Sequence, residues 1–109
     1  MIMQYDLHKN ITLDTGETIN KLELDFDSLA FVDLKNAKKV KAMLADATSQ
    51  GLSNPIAASS PRFDDELRIG IAWVAAIRGT KGLSINDVLK LSARDAMELS
   101  EVALTEYCF

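Results

Sequence analysis

The sequence predicts an α+β fold: an N-terminal β-hairpin followed by a small bundle of three to four α-helices. Three observations predict it. Apolar and polar residues alternate on both sides of a glycine-containing turn within residues 9–24. Apolar residues then recur at helical spacing through segments at about 30–49, 61–78, 85–91 and 93–106. A length of 109 residues suits a single domain, 1–109, with a core of modest size.

Residues 1–8 read as a loose arm. In KNITLD (9–14), Ile11 and Leu13 share one face. Thr15 and Gly16 make the turn, because glycine tolerates positive φ. ETINKLEL (17–24) supplies Ile19, Leu22 and Leu24. The step from 19 to 22 breaks period two and predicts a bulge near Asn20–Lys21. An isolated hairpin is marginal in water, so its apolar face must rest on the helices or on a second copy of the chain.

LDFDSLAFVDLKNAKKVKAML (24–44) begins as a strand and ends as a helix. Asp25, Asp27 and Asp33 mark the junction, where carboxylates accept from unpaired N–H groups and meet the positive end of the helix dipole. Leu29, Ala30, Ala37, Val40, Leu44 and Ala47 fall on one side of this helix, while Phe31 points away from it. Gly51 follows its C-terminus, and GLSNPIAASSP (51–61) reads as a loop.

Ser60 and Pro61 open the next helix. It carries two apolar stripes, Phe63–Leu67–Ile71–Val74–Ile77 and Ile69–Trp73–Ala76. A helix apolar on two sides is either the centre of the core or a core element that also serves an interface. Ser84 with Asp87, and Ser92 with Asp95, are capping-box-like starts. In the last helix Ala96, Leu99 and Ala103 face inward, with Glu98 and Glu101 toward water. The aromatics Tyr107 and Phe109 suggest that the chain's end docks against something.

The chemistry is sparse. Net charge is −4, which argues against a phosphate-backbone partner. The single Cys108 excludes an internal disulfide and fits a reducing compartment. No apolar run reaches membrane-spanning length, and no basic start precedes an apolar stretch, so the cytoplasm is the expected location. No phosphate loop, dinucleotide fingerprint or serine-hydrolase elbow occurs. His8 reads as a surface residue and Cys108 as an inert thiol; Asp64, Asp65 and Glu66 read as favourable charges in a first helical turn. No catalytic residue, cofactor or metal is expected, and the chain is not read as an enzyme. Trp73 is open to two roles, core residue or interface anchor.

The hairpin residues Ile11, Leu13 and Gly16, the segment LELDFDSL with Leu22, Leu24, Asp25, Asp27 and Leu29, and DLKNA with Asp33, Leu34 and Ala37 together resemble one family. So do the alanine-rich helix with Ile71, Ala72, Ala75 and Ala76 and the closing pattern Ile85, Val88, Leu89, Leu91 and Asp95. The family is the phage tail assembly chaperones, and the resemblance spans roughly residues 9–105. Ala30 and Phe31 stand where the family often has a small hydroxyl residue and a glycine. The resemblance implies a protein that coats the long helical tape-measure protein until tail-tube subunits polymerise around it, and is then shed. The candidate client surface is Ile69, Trp73 and Ala76 with Phe26, Tyr107 and Phe109, reading a helix through its i, i+3, i+4 and i+7 anchors.

Two other readings compete. Lys35, Lys38 and Lys39 share a side of their helix, which is either a solvated face or the phosphate-binding strip of a nucleic-acid regulator. A homo-oligomeric structural component, with hairpins pairing edge to edge across subunits, is the third.

Overall fold

The computed structural model describes residues 2–48 and 65–107. Strand β1 (Met3–Thr12) pairs antiparallel with β2 (Thr18–Leu24) in a two-stranded sheet. A short 3-10 turn, Phe26–Ser28, leads into α1 (Phe31–Thr48). Helix α2 (Asp65–Gly79), a 3-10 helix (Ile85–Lys90) and α3 (Ala93–Glu106) complete the order. The hairpin followed by helices is the α+β architecture that the periodicities predict.

Two expectations need correction. Residues 3–8 are not a loose arm: Met3, Gln4, Tyr5 and Asp6 pair with Leu24, Glu23, Leu22 and Lys21. Met3, Tyr5 and Leu7 are half-buried while Gln4 and Asp6 are exposed, the period-two signature of a strand packed on one face. The segment at 85–91 is a 3-10 helix rather than an α-helix, because Ser92 caps α3 almost immediately after it. The bulge does lie opposite Asn20, but its extra residues belong to β1. The register passes from Asp6↔Lys21 to Ile11↔Ile19, which leaves residues 7–10 facing Asn20 alone.

Helix α2 is the centre of the fold. Every residue from Leu67 to Ala76 is buried, and α1, α3 and β2 pack around it. The core joins Ile11, Leu13, Leu22 and Leu24 of the hairpin to Ala37 and Val40 of α1, Ile71, Trp73 and Val74 of α2, and Leu99 and Ala103 of α3. The junction at the start of α1 is capped by its own acids: the Ala30 N–H donates to Asp33 Oδ2 at 2.7 Å and Ser28 Oγ donates to Asp25 Oδ2 at 2.7 Å. Arg78, at the far end of α2, reaches the buried Asp33 with Nη2 at 2.8 Å from Oδ2. Ser60, Pro61 and Phe63, expected at the start of α2, lie outside the described residues.

Two close approaches require glycine. A methyl group at Gly70 would run into the Ala37 carbonyl on α1, and one at Gly79 into the Glu23 carbonyl on β2. Both obstacles are backbone, which cannot swing aside as a side chain can. Gly70→Ala is therefore expected to destabilise by about 1–3 kcal/mol, although alanine is the better helix former. Urea denaturation measures this, and a variant as stable as the parent would show the α1–α2 crossing to be loose.

Candidate protein-binding surfaces

Two aspartates fasten the hairpin to the C-terminal elements. Each sits three residues after a capping serine, and each is fully buried. Asp87 Oδ2 accepts from the Ser84 N–H at 3.0 Å and from Ser84 Oγ at 3.0 Å, the local half of a capping box. Its other oxygen reaches the hairpin turn, accepting from the Asp14 N–H at 3.1 Å, and pairs with Lys90 Nζ at 2.9 Å. Asp95 accepts from Ser92 Oγ at 2.9 Å and then turns to the bulge of β1. There it takes the His8 N–H at 2.9 Å, the Lys9 N–H at 3.3 Å and the Tyr5 hydroxyl at 2.8 Å. The bulge thus has a cause: His8 and Lys9 give their N–H groups to a carboxylate on α3.

The electrostatics follow from these bonds. Burial pushes the Asp95 carboxyl up, but the His8 N–H, Tyr5 hydroxyl, Ser92 hydroxyl and Lys9 N–H together hold it below the ordinary carboxylate value. Asp87 is raised by burial and lowered further by Lys90 and Ser84, and Asp33 by the Ala30 N–H and Arg78. The Tyr5 phenol is pushed well above its ordinary value, first by burial and then by the adjacent Asp95 and Glu98. Tyr5 therefore stays a donor, and Asp95 is saturated by donors of its own chain. The cluster is a fastener rather than a proton-transfer centre. Beside it, His8 Nε2 pairs with Glu98 Oε2 at 2.9 Å. Among the described residues no group of three or more His, Cys, Asp or Glu is placed to hold a metal ion, and no helix is long and apolar enough to cross a membrane.

The expected client surface is only partly a surface. Trp73 and Ala76 have 0 % exposure and Ile69 has 9 %. The Trp73 indole N–H donates to the Ser84 carbonyl at 3.0 Å, so its one polar atom is satisfied inside the fold. Ile69, Trp73 and Ala76 are core residues because α2 is enclosed by α1, α3 and β2, and both of its stripes face neighbours. Phe26 and Tyr107 do come together, from before α1 and after α3, with ring centroids 6.2 Å apart and planes tilted by 30°. Tyr107 is exposed and Phe26 half-buried. Phe109 and Cys108 lie outside the described residues.

Among the described residues, the most exposed large apolar side chain lies elsewhere. Phe31 is 75 % exposed and its neighbour Val32 54 %, both in the first turn of α1, just after the 3-10 turn that carries Phe26. The signal for Phe31 was its position off the apolar stripe; Val32 carried none. Lys35, Lys38 and Lys39 are all exposed on α1, and Lys35 Nζ stands 5.8 Å from the Phe31 ring centroid. The lysines thus line the helix that begins with this apolar pair.

A groove of about 490 Å³ runs between β1 and α3. Met3 and Tyr5 form its strand wall, and Glu98, Glu101, Val102 and Thr105 form its helix wall. No spacing within either element announces it, since it exists only where the two meet. Compared with family models, with curated proteins and with solved structures, the chain matches none of them.

Proposed function

We propose that the chain is a phage or prophage tail assembly chaperone, which holds the tape-measure protein in the bacterial cytoplasm and yields it to tail-tube subunits. The sequence resemblance over roughly residues 9–105 supports this reading. The observation that carries it is Phe31, a phenylalanine at 75 % exposure beside an exposed valine, in the first turn of α1. A protein that holds a client reversibly needs apolar side chains outside its own core. Phe31 and Val32, with the Phe26–Tyr107 pair, supply aromatic and β-branched anchors of the kind that an amphipathic client helix meets.

The test is capture of a co-expressed tape-measure fragment. Phe31→Asp combined with Val32→Asp should lower capture by about tenfold or more, since losing one such anchor costs about 2 kcal/mol. The fold should not suffer, because acids in the first turn of a helix favour its dipole. Undiminished capture by the doubly substituted, folded protein would refute the reading.

A further inference from the structure

The outer edge of β1 is open over a short, defined length. Both polar backbone groups of a strand residue point to the same side, so the bonds on β2 reveal the orientation of β1. The Glu23 N–H donates to Thr80 Oγ1 at 2.9 Å and the Glu23 carbonyl accepts from it at 3.3 Å, away from β1. The Asp25 N–H likewise donates outward, to the Ala75 carbonyl at 3.0 Å. Gln4 faces Glu23, so Gln4 must also turn its N–H and C=O outward, on the opposite edge of the sheet. Asp6 and Ile2 follow by the alternation. The same parity sends the His8 N–H outward, where Asp95 takes it. The β2 edge is therefore closed at Glu23 and Asp25 by α2 and Thr80. The β1 edge is closed at His8 by Asp95 and, among the described residues, open at Ile2, Gln4 and Asp6.

The strand wall of the groove is Met3 and Tyr5, the two neighbours of Gln4, whose backbone groups this edge leaves open. We propose that it is a strand-addition site for an extended, basic segment of a partner protein, which pairs with Gln4 and Asp6 as a third strand. The segment spans about five residues before Asp95 blocks further pairing. Its alternate side chains, those on the groove side, are cations whose aliphatic stems lie over Met3, Tyr5 and Val102. Its cations meet Glu98, Glu101 and Glu106, of which Glu101 and Glu106 have no ion-pair partner among the described residues. Charge selects the occupant. A second copy of this chain, at net charge −4, would bring the same glutamates toward one another across the new pairing. This inference rests on the edge and the groove alone and is independent of the client surface on α1.

The probe is the synthetic hexapeptide acetyl-Val-Lys-Val-Lys-Val-Lys-amide, titrated to millimolar concentration into the full-length protein. Amide hydrogen exchange is read residue by residue. Exchange at the Gln4 and Asp6 N–H groups should slow by about tenfold or more at saturation, while that of Tyr5, already bonded to β2, stays unchanged. Added salt should weaken the effect, and Glu101→Lys with Glu106→Lys, both exposed, should abolish it without altering the Tyr5 amide. No protection at Gln4 and Asp6, whether or not the peptide binds, overturns the proposal. So does equal protection by the peptide with glutamate in place of lysine. Protection that rises with protein concentration alone would assign the edge to a second copy instead.

Discussion

Trp73→Ala is expected to destabilise the protein by about 3–5 kcal/mol, a large part of the 5–15 kcal/mol typical of a domain. The indole is fully buried at the centre of the fold, against residues that cannot all collapse into the space it leaves. Its removal also takes one of the two donors of the Ser84 carbonyl, leaving the Asp87 N–H at 3.2 Å, at the start of the 3-10 helix that carries Asp87. Thermal unfolding should show a drop on the order of 20 °C. The informative control is capture. Per folded molecule, Trp73→Ala should hold a client as well as the parent does, while Phe31→Asp with Val32→Asp should lose capture and keep stability. If Trp73→Ala instead spared the melting temperature and abolished capture, the tryptophan would have to be reachable in solution.

Asp95→Ala should come close in severity, at about 3 kcal/mol, since it orphans the N–H groups of His8 and Lys9 and leaves the Tyr5 hydroxyl only its 3.2 Å bond to Glu98. The loss should appear first in the hairpin, as faster amide exchange at His8 and Lys9. Asp95→Asn separates charge from shape, and it also changes the response to acid. Asp95, Asp87 and Asp33 all lie below their ordinary values in the folded chain. The stability they contribute is therefore present above the unfolded carboxylate pKa of about 4 and is lost as pH falls through their lower folded values. The parent should lose stability steadily below about pH 4. Asp95→Asn should be less stable near neutrality and show a shallower acid slope. Parallel slopes would mean that Asp95 binds its donors no better when charged.

The helical half of the fold was legible because its signals are local. Ser84 with Asp87 and Ser92 with Asp95 each announced a helix start, and each starts one. Ala37 and Val40 lay on the predicted stripe of α1 and are buried; Phe31 lay off it and is exposed. The misreadings share a different cause. Met3, Tyr5 and Leu7 already alternate, but the alternation fails at Lys9, and what makes that failure a bulge is Asp95, far along the chain. A capping acid looks the same in the sequence whether both of its oxygens serve its own helix or one reaches a strand. Trp73 was ambiguous for a similar reason. A second apolar stripe is an interface on a peripheral helix and core on a central one, and position in the bundle is a property of the assembled elements. The open edge of β1 is more remote still, since it follows from which side of β2 meets Thr80.

The two aspartate fasteners also set an order of events at the ribosome. β1 is made before residues 84–95, yet its bulge and its turn are secured by them. A nascent chain cannot lock β1 until α3 begins to emerge, so the hairpin waits, with the His8, Lys9 and Asp14 N–H groups lacking their carboxylates, while α1 and α2 are made. Assembly is completed by late, distant pairings, and a product cut short before Ser84 would lack both anchors for its first strand.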